Sequence, residues 1–223
     1  MARESRIIAK TYPHHVTQRG NYKQLIFEGA SDYSFYLVWL KDYSLKYHLD
    51  IVSYCLMPNH VHFIVIPQEY DSLAKTFHIL HTKYSQYINK RKNQKGHLWQ
   101  GRFYSTILSK DHLKEAIRYV ENNPVKAKMV KSAEDWDWSS SRYYIKGESK
   151  NEIPLYSFKK YLGINDWKDY LSGKLDNVIL EEVKLKTYSG FPTGKIEFVH
   201  RLEKELGRKI IPNKPGRPKK KKN

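Results

Sequence analysis

Two β-rich runs, DIVSYCLM (50–57) and HVHFIVI (60–66), are joined only by Pro58 and Asn59, and no other stretch constrains the fold as much. A link this short between two strands closes an antiparallel hairpin. The second strand carries His60 and His62. A strand's two-residue period puts both on one face and Val61 on the other. Two imidazoles aimed at one place are either a ligand pair that lacks its third member or a strand that happens to carry two histidines.

On either side of the hairpin the hydrophobic period alternates between strand and helix. HHVTQ (14–18) runs through RGN into a glycine turn and reads as a first strand, and LIFEG (25–29) as another short one. Ser31 is the expected N-cap of an amphipathic helix over 32–47, in which Phe35, Val38, Trp39, Tyr43 and Leu45 roughly follow helical spacing. A second helix is predicted over 71–92 from Leu73, Phe77, Leu80, Tyr84, Tyr87 and Ile88. RFYSTIL (102–108) reads as a strand, and Ser109 or Lys110 opens a third helix that Pro124 ends or kinks. The order strand, helix, two strands, helix, strand, helix predicts an α+β fold. Its antiparallel sheet would be covered on one face by helices, close to the split βαβ, ferredoxin-like plan. Residues 1–150 would form the main domain, 151–210 a small helical C-terminal extension, and 211–223 a disordered basic tail.

Charge narrows the partner. The 223 residues carry a formal +17, and six positive charges (Lys214, Arg217 and Lys219 to Lys222) fall in the last ten, leaving +11 on the rest of the chain. Such a balance calls for a polyanion: nucleic acid, an anionic membrane surface or an acidic protein. No run approaches eighteen apolar residues and no apolar signal core opens the chain, so no membrane partner is expected and nucleic acid leads. The single cysteine, Cys55, rules out an internal disulfide and suits a buried position in a reducing, cytoplasmic setting. Eighteen tyrosines suit base stacking or a tyrosine-rich core equally.

If His60 and His62 hold a divalent metal, a helix facing the sheet should supply a further ligand and a nucleophile. RYVENNP (118–124) is the best candidate, because Tyr119 and Asn123 are four apart and share a helix face, as do Glu115 and Tyr119.

The HVH triplet on a strand, YVENNP on a later helix, RGN near the start, and the linking text SYCLMPNHVHFIV and LWQGRFYST together resemble the HUH endonuclease superfamily. Within it they are most similar to single-tyrosine, REP-associated tyrosine transposases, over about residues 12–145, from HHVTQRGN to DWDWSSSRYY. HxH alone is a weak signal; the three motifs in this order and spacing are a strong one. The resemblance implies a ferredoxin-like HUH nuclease fold and metal-dependent cleavage and rejoining of single-stranded, hairpin-forming DNA through a covalent 5′-phosphotyrosine. It makes Tyr119 the nucleophile, His60 and His62 metal ligands, and Asn123 the third protein ligand. Several relatives have glutamine at that third position, one methylene longer. Two imidazoles, an amide and waters suit Mg²⁺ or Mn²⁺. The implied partner is REP-like hairpin DNA in a bacterial, nucleoid-associated setting, bound by a monomer or a homodimer.

Each of these residues has a plainer reading. Tyr119 is one of eighteen tyrosines, and Asn123 before Pro124 could simply end a helix. His14 and His15 open the first strand and could lie near the site, one of them packing or facing solvent. Arg19 and Asn21 in RGN are well typed for phosphate or base contacts, or form only a turn. Trp99, Arg102 and Phe103 could clamp a single strand, although such aromatics more often belong to a core, and Trp136, Trp138 and Tyr143 should pack the domain's edge. In the tail, Lys214, Arg217, Lys219 and Lys220 are expected to add non-specific DNA affinity and salt sensitivity. Three rivals remain: a non-catalytic hairpin-binding regulator with the same fold, a metal hydrolase with a water nucleophile, and an RNA-binding module.

Overall fold

The computed structural model describes residues 6–148 and 153–211. Four strands, β1 (His14–Arg19), β2 (Leu49–Met57), β3 (His60–Pro67) and β4 (Tyr104–Ile107), form one sheet in the order β2-β3-β1-β4. Every neighbouring pair is antiparallel. Helices α1 (Ala30–Lys46) and α2 (Ser72–Arg91) make the two crossovers, which is the ferredoxin-like plan expected. The β2–β3 hairpin turns at Pro58 and Asn59, with Met57 opposite His60.

Alternation along β3 sorts the two cores. Val61, Phe63 and Val65 point to one side, where they pack with Tyr36, Leu37 and Leu40 of α1 and Phe77, Leu80 and Tyr84 of α2. Ile64 and Ile66 point to the other, against α3 (Lys110–Glu121), whose Leu113, Ala116, Ile117 and Val120 recur at helical spacing. Helices therefore cover both faces, not one. The expectation of a single covered face missed that β3 is apolar on both sides except where His60 and His62 stand.

The second layer is completed by α5 (Ser141–Lys146), α6 (Lys159–Leu162), α7 (Trp167–Ser172) and α8 (Asn177–Ser189), which follow the short turn α4 (Asn123–Lys126). Tyr144, Trp167, Tyr170, Leu171 and Val183 lie in the same buried cluster as α3. The last helix, α9 (Ile196–Leu206), packs Val199 and Leu202 against Ile107 of β4. Among the described residues no helix is long and apolar enough to cross a membrane.

Two local readings change. LIFEG is a loop: Ile26 and Phe27 are buried, but both their N–H groups donate to the Pro58 carbonyl, at 2.8 and 3.1 Å. Its apolar residues serve the core between α1 and α2, while β1 already occupies the edge of β3 beside it. The first helix begins at Ala30, with Gly29 rather than Ser31 at the cap. Its start is fixed by Asp32, whose carboxylate accepts the Glu28 N–H at 2.8 Å and also receives Arg91 and Tyr87 from α2. Cys55 is fully buried, as expected.

Candidate active site

The register of the sheet gathers the polar residues of its α3 face. His62 stands opposite Thr17, and His60 opposite Arg19. Paired residues share a face, so His15, Thr17, Arg19, His60 and His62 lie on one side, beneath α3. The Tyr119 ring reaches this patch from the helix, 5.4 Å from the His62 ring and 6.3 Å from that of His15, edge-on to each. The His60 and His62 rings are 5.0 Å apart and nearly perpendicular.

Both histidines of the triplet have one nitrogen engaged. His60 Nδ1 is 2.6 Å from Asn59 Oδ1, and Asn59 Nδ2 donates to the Lys23 carbonyl at 3.2 Å. The Asn59 oxygen thus faces the imidazole and His60 Nδ1 is the donor. His62 Nδ1 lies 3.0 Å from His15 Nε2, and His15 Nδ1 lies 2.8 Å from Thr187 Oγ1 of α8. Burial holds all three rings neutral: His60 falls to about 4, His15 to about 3, and His62 well below its ordinary value, with Arg19 adding to the effect on His60 and His62. A neutral imidazole with its Nδ1 side engaged can offer Nε2 to a cation.

Asn123 stands beside Tyr119. Its Nδ2 donates to the Tyr119 carbonyl at 2.8 Å, so the amide caps the last turn of α3 and leaves Oδ1 for another partner. Burial raises the Tyr119 phenol above its usual range and Tyr188 adds to the rise, while hydrogen bonding by Asn123 and the charge of Arg19 oppose it. Lys184 of α8 places its Nζ 5.7 Å from the Tyr119 ring centre.

Two imidazoles and one amide oxygen are donor types that a divalent ion would accept. Among the described residues no group of three His, Cys, Asp or Glu side chains is placed to hold a metal. His15 is close, but both of its nitrogens are engaged. Mixed nitrogen and oxygen donors would suit Mn²⁺ or Mg²⁺ better than a structural zinc.

Of the DNA-contact candidates, Arg19 joins the site, and among the described residues no side-chain hydrogen bond or ion pair engages it. Asn21 lies in the adjoining turn, which Gly20 ties to the histidine strand by donating to the Asn59 carbonyl at 2.9 Å. Arg102 is elsewhere: it lines a cavity of about 680 Å³ with Gln18, His78, His97 and Trp99, and Gln18 points to the α1–α2 side of the sheet. Trp99 and Phe103 are core residues. Lys214, Arg217, Lys219 and Lys220 fall outside the described residues. Thr187, Lys184 and Tyr188, with Tyr104 packed 5.0 Å from Tyr188, were not marked by any motif. Their one signal is that 184, 187 and 188 share a helix face.

The model of the family described as transposase IS200 like matches residues 8–123, more than half of the chain. The chain belongs to that family. A Haemophilus influenzae protein described as a REP-associated tyrosine transposase is 27% identical over 113 residues, 46% of this chain and 64% of that protein. The chain therefore spans less than two thirds of that relative. Among solved structures, a REP-associated tyrosine transposase bound to a REP hairpin aligns with a TM-score of 0.53 and 19% identity, covering 63% of this chain and 82% of that one. It shares the fold of this IS200-like chain. A protein of Deinococcus radiodurans described as a transposase aligns with a TM-score of 0.36 and 18% identity, over 54% of this chain and 97% of its own.

Proposed function

We propose that this IS200-like protein is a metal-dependent single-strand DNA endonuclease and strand transferase acting on hairpin-forming, REP-like palindromic DNA. One observation carries the reading: a tyrosine from α3 stands 5.4 Å from a buried, neutral histidine of a strand HxH pair. The relative described as REP-associated and the solved neighbour bound to a REP hairpin support the choice of DNA.

A phosphodiester resists attack because its charge repels nucleophiles and its alkoxide leaves poorly. A divalent ion held by His60, His62 and Asn123 would supply charge stabilisation at the non-bridging oxygens. The chain's own residues do the rest. Tyr119 is held neutral at rest by burial, and Arg19 and the Asn123 amide favour its phenolate once the proton leaves. The phenolate oxygen bonds to phosphorus as the 3′ oxygen of the preceding nucleotide departs, giving a 5′-phosphotyrosine and a free 3′ hydroxyl. Attack by another 3′ hydroxyl then breaks the phosphotyrosine bond, rejoins DNA and restores the phenol without ATP. The basic tail, with Lys214, Arg217, Lys219 and Lys220, and the helices after residue 150 would add grip on the duplex stem.

The test uses end-labelled hairpin DNA from repeats flanking the gene, incubated with Mn²⁺, Mg²⁺ or chelator and resolved on a denaturing protein gel. A labelled protein band that requires metal and disappears in Tyr119→Phe is expected. Tight binding without any covalent band, in wild type and variant alike, would leave a DNA-binding regulator in place of the enzyme.

A further inference from the structure

We propose that His15 and Thr187 are positioning residues that hold His62 as the Nδ1–H tautomer, so that helix α8 determines which nitrogen of this ligand faces the ion. The inference rests on the metal reading above and adds to it a part of the chain beyond residues 8–123.

The direction of each hydrogen bond follows from the one before it. Thr187 Oγ1 lies 2.6 Å from the Val183 carbonyl oxygen. Two oxygens that close require a proton between them, and a carbonyl has none to give, so the hydroxyl donates there. With its single proton committed, Thr187 can only accept at the 2.8 Å contact with His15, which makes His15 Nδ1 a donor. His15 is buried, 2% exposed, and its two ring nitrogens meet a hydroxyl and another imidazole rather than a carboxylate, so the ring carries one proton and its Nε2 keeps a lone pair. The 3.0 Å contact then obliges His62 Nδ1 to donate. The ring planes are tilted by 11° and the ring centres are 5.3 Å apart, about the 3.0 Å N···N contact plus the two centre-to-nitrogen lengths, so the contact runs along the plane of both rings, as an N–H···N bond requires. A neutral His62 with hydrogen on Nδ1 has its free electron pair on Nε2.

The relay begins on the α8 face that also bears Lys184 and Tyr188, placing one stripe of that helix along the site. His60 reaches the same tautomer through Asn59, by a circuit independent of α8. Removal of the Thr187 hydroxyl frees His15 Nδ1 from its acceptor and lets both tautomers of His15, and so of His62, be populated. Outer partners of ligand histidines typically contribute about 10–100-fold to metal affinity.

Two readings on the full chain decide the matter. Proton–nitrogen correlation spectra of the imidazoles, recorded on metal-free wild-type protein near neutral pH, should show His62 protonated at Nδ1. Mn²⁺ titration should then give about 10–100-fold weaker binding for Thr187→Val, a mixed His62 tautomer signature in that variant, and recovery of both in Thr187→Ser, which also shows that the pocket folds. His62 protonated at Nε2 in the wild type would overturn the proposal, as would Thr187→Val with unchanged Mn²⁺ affinity. If the second result comes with strong wild-type binding that His62→Ala abolishes, the relay alone fails. If the wild type binds no Mn²⁺ and His62→Ala changes nothing, the metal reading fails and the relay falls with it.

Discussion

Asn123 shows why a plain reading and a sharper one need not compete. Its amide nitrogen caps α3 at the Tyr119 carbonyl, which answers the helix-end role, and that bond does not use Oδ1, the atom that the proposed ligand role needs. The motif could be seen from spacing because Tyr119 and Asn123 are four apart, although α3 ends at Glu121 and Asn123 opens α4 rather than continuing the same helix. His15 could be placed near the site from the first strand, but its meeting with Thr187 could not, since the two are 172 positions apart and no local period links them. Gly20 in RGN was read as a turn residue, and the structure supplies a steric reason. A Cβ there would sit 2.5 Å from the Gln24 carbonyl oxygen and 2.9 Å from Ile26 Cγ2. Gly20→Ala should therefore destabilise the protein by about 1–3 kcal/mol, as overpacked sites do. Urea unfolding reads this directly, and an unchanged midpoint would mean the turn yields at no cost.

At the scale of elements, the helix that carries Tyr119 is held by segments that a motif search passes over. Glu121 is completely buried at the end of α3 and accepts hydrogen bonds from Ser140 at 2.6 Å, Ser53 at 3.0 Å and Trp167 Nε1 at 2.6 Å. Three donors from β2, the start of α5 and α7 thus meet on one carboxyl. Asn122 adds a bond to the Leu171 carbonyl at 2.8 Å, and Arg118 one to that of Tyr170 at 2.9 Å. The strands and long helices could be placed from periodicity, because each buries a regular face. The C-terminal helices could be recognised as helical, but their docking depends on single polar contacts and on α3 having a second apolar layer to meet. Trp167→Phe keeps most of the buried ring and removes only the N–H. Losing that donor to a buried carboxyl should cost about 1–3 kcal/mol. Thermal unfolding compared with wild type tests it, and equal stability would show that Ser140 and Ser53 suffice for Glu121.

Across the whole molecule, the histidines that make a site also make the fold sensitive to acid. Burial keeps His14 and His60 neutral down to about 4, and His15 and His81 down to about 3. The unfolded chain takes up these protons near the ordinary histidine value of about 6.5. Their contribution to stability is therefore complete above that value and is lost as pH falls through the window toward 4. Glu121 works in the opposite sense: burial raises it to about 7, so its contribution is present in acid and declines as pH rises from the ordinary glutamate range toward 7. With His62, which burial also lowers, five histidines outweigh one carboxyl, and the unfolded state binds more protons throughout the window. Stability of the metal-free protein should fall steadily between pH 6.5 and 4, each net proton contributing about 1.4 kcal/mol per pH unit. Denaturant titrations at three pH values across that range measure the slope. His81→Gln, which lies away from Tyr119 and bonds Tyr36, should make it shallower by one proton's share. A flat profile, or a protein that grows more stable in acid, would mean that Glu121 dominates and that the histidines gain solvent as they charge.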